Sequence, residues 1–247
     1  MKVFVSFLLF SFFLYAIKVS GQEISSVDYK EWYGQSAYIS VGTPIFKLVL
    51  NPHNSLYFQT DLLMNKSLLF ASKGGNKERD FTIKFYDSRK MLILAEKMNN
   101  QVILVSDSFE LIHWKILKSS AIRYLGLDCY QAKGHFRGRN YTAYFAPKIK
   151  KSEGPFKFSG LPGLIIKIAS EDKFKIWQAI KINYQEKNNI QLPSKFKDTP
   201  IAFSAYSKLK KNEDGRFIKE YRVKHPVKRG ETNNVYFEYV EKTLEID

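Results

Sequence analysis

The side chains best suited to chemistry are few and scattered. Four histidines, His53, His113, His135 and His225, lie far apart and share no metal-ligand spacing such as His-x-x-x-His, so no metal site is expected. Cys129 precedes His135 by six residues, an even number that puts both on one face of a strand. They would stand roughly 20 Å apart at the usual rise per residue, too far for a thiol–imidazole dyad. The sequence has no Gly-x-Ser-x-Gly elbow, and Glu171 and Asp172 are adjacent, pointing to opposite sides of any strand. Arg137 and Arg139 flank Gly138 and form the one candidate contact for a ligand or partner, because a guanidinium fork can grip a phosphate or carboxylate with two hydrogen bonds. No catalytic residues, cofactor or enzymatic activity are expected from these patterns.

The elements that carry these residues read as strands. Residues 44–50 and 55–59 alternate apolar and polar around a break at Asn51-Pro52, and a loop tip falls at Lys73-Gly74-Gly75-Asn76. Phe81, Ile83 and Phe85 then alternate with Thr82, Lys84 and Tyr86, and Asp87-Ser88 turns the chain into residues 91–97. Strands are further predicted over 101–105 and 109–116 across a polar turn at Asp107-Ser108, and over 127–136 and 141–145 around a hairpin tip at 137–140. A helix is predicted from Thr199 as N-cap and Pro200 as first residue, with Ala202, Ala205, Tyr206 and Leu209 on one stripe, ending before Asn212 and Gly215. Strand is predicted again over 216–224 and 235–240.

Residues 154–168, GPFKFSGLPGLIIKI, place three of the chain's 13 glycines and two prolines ahead of an apolar run. Leu161-Pro162-Gly163-Leu164 has the composition of a type II turn, with proline presetting φ and glycine taking the positive φ. Leu164, Ile166 and Ile168 would then enter the core from one face of a strand. The segment lacks phosphate-loop spacing.

At the N-terminus Lys2 precedes an apolar run over 3–17, too short to span a bilayer as a helix, and small or β-branched residues stand before Gln22. Residues 1–21 are therefore predicted to be a cleaved signal peptide and 22–247 a single domain. The formal charge of the whole chain is +15, but its lysines are dispersed as on a solvated surface, so nucleic acid is not the expected partner. Cys129 is the sole cysteine, so no intramolecular disulfide supports the fold. No transmembrane span is expected after signal removal.

Residues 128–168 resemble the signature region of the GLPGLI family of exported bacterial proteins. The hexapeptide is present as Gly160, Leu161, Pro162, Gly163, Leu164 and Ile165, and flanking elements match at Cys129 and Ala132, at Phe136, Gly138 and Arg139, and at Gly154, Pro155 and Phe156. Tyr144 stands where a tryptophan is usual, and Lys150 where a proline commonly follows the isoleucine. The resemblance implies export to the periplasm or cell envelope of a Gram-negative bacterium and brings no catalytic residue with it. The expected fold is mainly β (β-rich α+β), a curved antiparallel sheet or half-open barrel of seven to eleven strands with one packed helix near residues 200–211. The expected function is a non-catalytic envelope binding or carrier protein for an apolar or amphiphilic ligand such as a lipid. The alternative is an accessory module that contacts another envelope protein through a sheet edge or the Arg137–Arg139 hairpin.

Overall fold

The computed structural model describes residues 23–34, 45–60, 81–96, 102–109, 112–118, 121–184 and 199–226. The predicted signal peptide, the loop tip at residues 73–76 and the predicted strand at 235–240 lie outside them. The described chain is mainly β, as the alternating patterns require. Among the described residues thirteen strands form one sheet: β1 (Ile24–Tyr33), β2 (Ile45–Leu50), β3 (Asn54–Gln59), β4 (Thr82–Phe85), β5 (Lys90–Glu96), β6 (Val102–Ser108), β7 (Lys115–Ile116), β8 (Ile122–Tyr124), β9 (Leu127–Phe136), β10 (Arg139–Ala146), β11 (Leu164–Ser170), β12 (Lys175–Tyr184) and β13 (Ile201–Ala202). A helix, α1 (Phe203–Lys224), follows.

Two antiparallel meanders, β1 to β6 and β9 to β12, are joined where β1 pairs with β12. No strand is predicted before residue 44, yet β1 is the strand that unites the halves. The count exceeds the predicted seven to eleven because of β1 and the two- and three-residue strands β7, β8 and β13. The ladder does not close, yet the sheet curls until Asp107 at the end of β6 lies 2.6 Å from Arg137 at the tip of the β9–β10 hairpin. That tip has positive φ at Arg137 (42°) and Gly138 (84°), the geometry of a two-residue type I′ turn, with Asn140 already in the strand.

Register decides which side chains meet inside the curl. Leu50 faces Ser55, Ser55 faces Lys84, Lys84 faces Met91 and Met91 faces Asp107, so one row on the concave side runs across five strands. Val49, Leu56, Phe58, Phe81, Ile83 and Leu104 make a separate buried cluster. The main core lies on the β1 and β9–β12 side, where Phe158 packs against Phe136, Tyr141 and Trp177 at centroid separations of 5.7, 4.9 and 5.1 Å.

Two local expectations are corrected. Ile201–Ala202 is not helical but pairs in parallel with Val105 and Ser106 of β6, and Ala202, not Thr199, occupies the N-cap. The helix then runs through Asn212 and Gly215 to Lys224, replacing the predicted strand over 216–224. A mid-helix glycine costs only about 1 kcal/mol. Lys210 pairs with Asp214 one turn on, Phe217 stacks on Tyr221, and Arg222 and Lys224 sit in the last turn where cations suit the dipole. Among the described residues the start of α1 packs on the sheet, through Phe203 and Tyr206 beside Met91, Ile93 and Val105.

The hexapeptide does feed a buried strand, with Leu161, Leu164, Ile165 and Ile166 all 1% exposed or less. Its corner is not a type II turn. Gly163 N–H donates to Leu161 O at 2.8 Å, Leu164 N–H donates to Ile149 O, and a register shift opposite Tyr144 and Phe145 puts Ile165 and Ile166 both inside. Gly163 does take a positive φ, +157°, which L side chains rarely adopt, and glycine is required there for a second reason as well: a Cβ would stand 2.4 Å from the Ala146 carbonyl oxygen. Gly163→Ala is expected to cost about 1–3 kcal/mol by overpacking against backbone that cannot move aside. Urea unfolding checks this, and a change below about 0.5 kcal/mol, the range of an ordinary surface substitution, would contradict the close approach.

Candidate functional site

Between β10 and β11 the chain does not turn back directly. Residues 147–163 form a strap across the concave face, and polar groups of the sheet anchor it. Lys84 Nζ, fully buried, donates to Glu153 Oε2 (2.9 Å), Gly154 O (3.2 Å) and Phe158 O (2.8 Å). An ammonium has three donors, and all three are used on the strap. Ser55 Oγ adds a 3.3 Å bond to Glu153, and the Tyr86 hydroxyl is bonded with both Ser55 and Glu153. Burial pulls the Lys84 pKa down from its ordinary value, opposed by the facing Glu153 carboxylate, and burial beside the same carboxylate pushes the Tyr86 phenol up.

Four residues along, the polarity reverses. Lys157 Nζ, also buried, meets Asp107 Oδ2 at 3.1 Å, and Asp107 Oδ1 accepts from Arg137 at 2.6 Å. Phe203, the first residue of α1, roofs both cations, its ring centroid lying 3.3 Å from Arg137 Cζ and 4.5 Å from Lys157 Nζ. A strand cation thus holds a strap anion, and a strand anion holds a strap cation. Sequence reasoning missed both anchors: it set Lys84 among the polar partners of a half-buried strand and put Asp107 in a turn, whereas β4 is covered on both faces and Asp107 belongs to β6.

Outside the strap, toward the β2–β3 and β4–β5 turns, lies a cleft of ≈ 680 Å³. Pro52 comes from the first turn, Tyr86 and Arg89 from the second, Phe109 and Ile112 from the chain after β6, and the strap supplies Lys150, Lys151, Ser152, Glu153, Lys157, Ser159 and Gly160. The two turns are tied by the bond from Tyr86 N–H to His53 O and by His53 Nδ1 to Asp87 at 3.1 Å. Trp114 Nε1–H donates to Ser159 O at 2.8 Å, fixing the strap beside Gly160. Four lining residues are cationic and one, Glu153, is anionic and already faced by Lys84. The described lining thus holds more cationic than anionic side chains, although Lys157 is itself met by Asp107 and Lys151 by Glu23, with an apolar side made by Pro52, Phe109 and Ile112.

The predicted contact residues point elsewhere. Arg137 is bonded to Asp107, and Arg139, 4% exposed, pairs with Asp172 with its guanidinium 4.0 Å from the Phe174 ring centroid. Both forks engage the protein's own carboxylates at the sheet's corner. Of the hexapeptide only Gly160 reaches the cleft, and Leu161, Gly163, Leu164 and Ile165 are buried behind it. Cys129 is buried with its thiol pKa raised by desolvation, and His135, exposed on the same strand, bonds Asn140 instead. Among the described residues no three of His, Cys, Asp and Glu come together as a metal-binding group.

No family model and no curated protein matches the chain. Among solved structures it is similar to PNGF-II in two crystal forms. In the P21 form the TM-score is 0.56 at 15% identity over 76% of this chain. In the C2 form the TM-score is 0.51 at 14% identity over 73%. The chain spans about a third of the length of PNGF-II, covering 33% and 31% of the two chains. At this identity the likeness concerns the fold alone.

Lys84→Met leaves Glu153 as a buried, uncompensated charge and removes the donor to two strap carbonyls. It is expected to cost about 3–5 kcal/mol, and Lys84→Met with Glu153→Met to recover much of that loss. Urea unfolding of both variants checks the pair. A single variant within about 1 kcal/mol of the parent, the worth of an exposed pair, would remove the anchor.

Proposed function

We propose that the chain is an exported GLPGLI-family protein of the bacterial envelope that binds or carries an amphiphilic ligand without transforming it. The observation that carries this reading is the cleft beside the strap: ≈ 680 Å³, lined by charged side chains and apolar on one side, within the size range of small-molecule sites. A wholly apolar ligand inside the curl has less support, because Phe158, Leu161, Tyr141 and Trp177 fill that space themselves. No helix among the described residues is long and apolar enough to cross a membrane.

The second reading, an accessory module for another envelope protein, draws on the far edge of the sheet. Ile116, Ile122 and Leu125, on or beside β7 and β8, are each more than two-fifths exposed. Such residues suit a protein contact better than the internally bonded Arg137 and Arg139 do.

The test is saturable binding of a fluorescent fatty acid to the purified chain, with and without Ser152→Trp. Ser152 is exposed on the cleft wall, so an indole there fills the site without disturbing the core. The expected result is binding that weakens about tenfold in the variant with unchanged thermal stability. Absence of saturable binding, or binding indifferent to the indole, contradicts the reading.

A further inference from the structure

We infer that the far edge of the sheet, around the β8–β9 hairpin, docks on an anionic lipid surface, with Leu125 and Ile122 entering the bilayer interface. The inference does not use the cleft, and it assigns to lipid the edge that the accessory-module reading gives to a protein.

The hairpin tip is built against local preference. Tyr124 faces Leu127, and between them Leu125 and Gly126 take φ of 50° and 75°, a two-residue type I′ turn. Its first position suits Asn, Asp or Gly, and a leucine held there costs stability that burial does not return, since Leu125 is 48% exposed. The tip is nevertheless held in shape. Arg123 Nη2 donates to Gly126 O at 3.0 Å, and its Nε lies 3.6 Å from Asp128. Ile122, opposite Cys129, and Ile116, opposite Ala132, continue the exposed apolar residues along the same edge of β9.

The charges beside this ridge choose the partner. Asp128 faces Arg123 and Glu171 faces Lys133, so these two carboxylates are matched locally. Lys115 and Lys118 stand on either side of Ile116, exposed and with no carboxylate paired to them among the described residues, and Lys167 lies 5.7 Å from the Tyr124 ring centroid. Protein interfaces are depleted in lysine and seldom anchored by leucine. A lipid surface suits both residue types: aliphatic tips enter the acyl boundary, while lysine stems lie along it and keep their ammonium groups at anionic headgroups. Each lysine so placed strengthens binding about fivefold.

The full chain carrying an environment-sensitive fluorophore at Ile122→Cys tests this on phosphatidylcholine vesicles with and without phosphatidylglycerol. Cys129 is buried, so the label goes to the new thiol, and a second label site, Lys219→Cys on α1, reports on the opposite end of the chain's described part. The expected result is a blue shift at residue 122 and none at 219, with phosphatidylglycerol vesicles bound about tenfold or more tightly and the gap closing as salt is raised. Lys115→Gln, Lys118→Gln and Lys167→Gln together should remove that gap. Leu125→Asn should weaken the vesicle-induced shift about tenfold while raising thermal stability, because asparagine suits the turn, a readout that misfolding would not give. No shift at residue 122 on any vesicle, or a shift that phosphatidylglycerol and Leu125→Asn leave unchanged, overturns the inference. A dimer in sedimentation velocity that Leu125→Asn dissociates, with no vesicle-induced shift, overturns it also and gives the edge to a second copy of the chain.

Discussion

A buried ammonium must be met, and Lys84 is met entirely by the strap. Its three donors reach a carboxylate and two carbonyls between Glu153 and Phe158, and a strap displaced from this position would leave that buried ammonium without these partners. The Asp107–Lys157 pair repeats the constraint with the signs exchanged. Swapping polarity between the two anchors fixes direction, because sliding the strap by one anchor would set Lys84 against Lys157. Buried ion pairs add little net stability over apolar packing, but as a registry device they penalise every misplaced alternative. That role suits a segment with no strand partners along most of its length.

From this constraint follows the shape of the interior. The strap brings Phe158 and Leu161 into the space the curled sheet encloses, so aromatic side chains from β9, β10 and β12 close on the chain itself. What remains open is displaced outward, between the strap's other side and the β2–β3 and β4–β5 turns. The likeness to part of PNGF-II shows that this fold can sit within a longer protein, the matched region being 33% of that chain.

Much of the architecture was legible because strands declare themselves by alternation. β9 and the hairpin after it follow from the pattern of residues 127–145, and the curved antiparallel sheet follows from the spacing of such segments. Illegible parts share a cause: partners distant in sequence changed what a residue type meant. Lys84 reads as a solvent-facing strand lysine until Glu153, 69 positions away, is placed over it. Asp107 reads as a turn residue until Lys157 and Arg137 arrive. Gly163 declared a positive-φ constraint, which holds, yet only the Ala146 carbonyl shows that close approach of backbone adds to it. The cleft was hidden for the same reason, since its walls come from four separate stretches of chain.

Native-state hydrogen exchange on the strap and its flanks measures the central constraint directly. The amides of Phe158, bonded to Pro155 O, and Gly160, bonded to Ser152 O, lie on the strap and belong to no strand of the main sheet. If the two buried ion pairs lock the strap to the sheet, these amides exchange as slowly as those of β10 and β11, through global unfolding alone. Exchange orders of magnitude faster than in those strands would mean that the strap opens by itself, and would contradict a strap locked in place by Lys84 and Asp107.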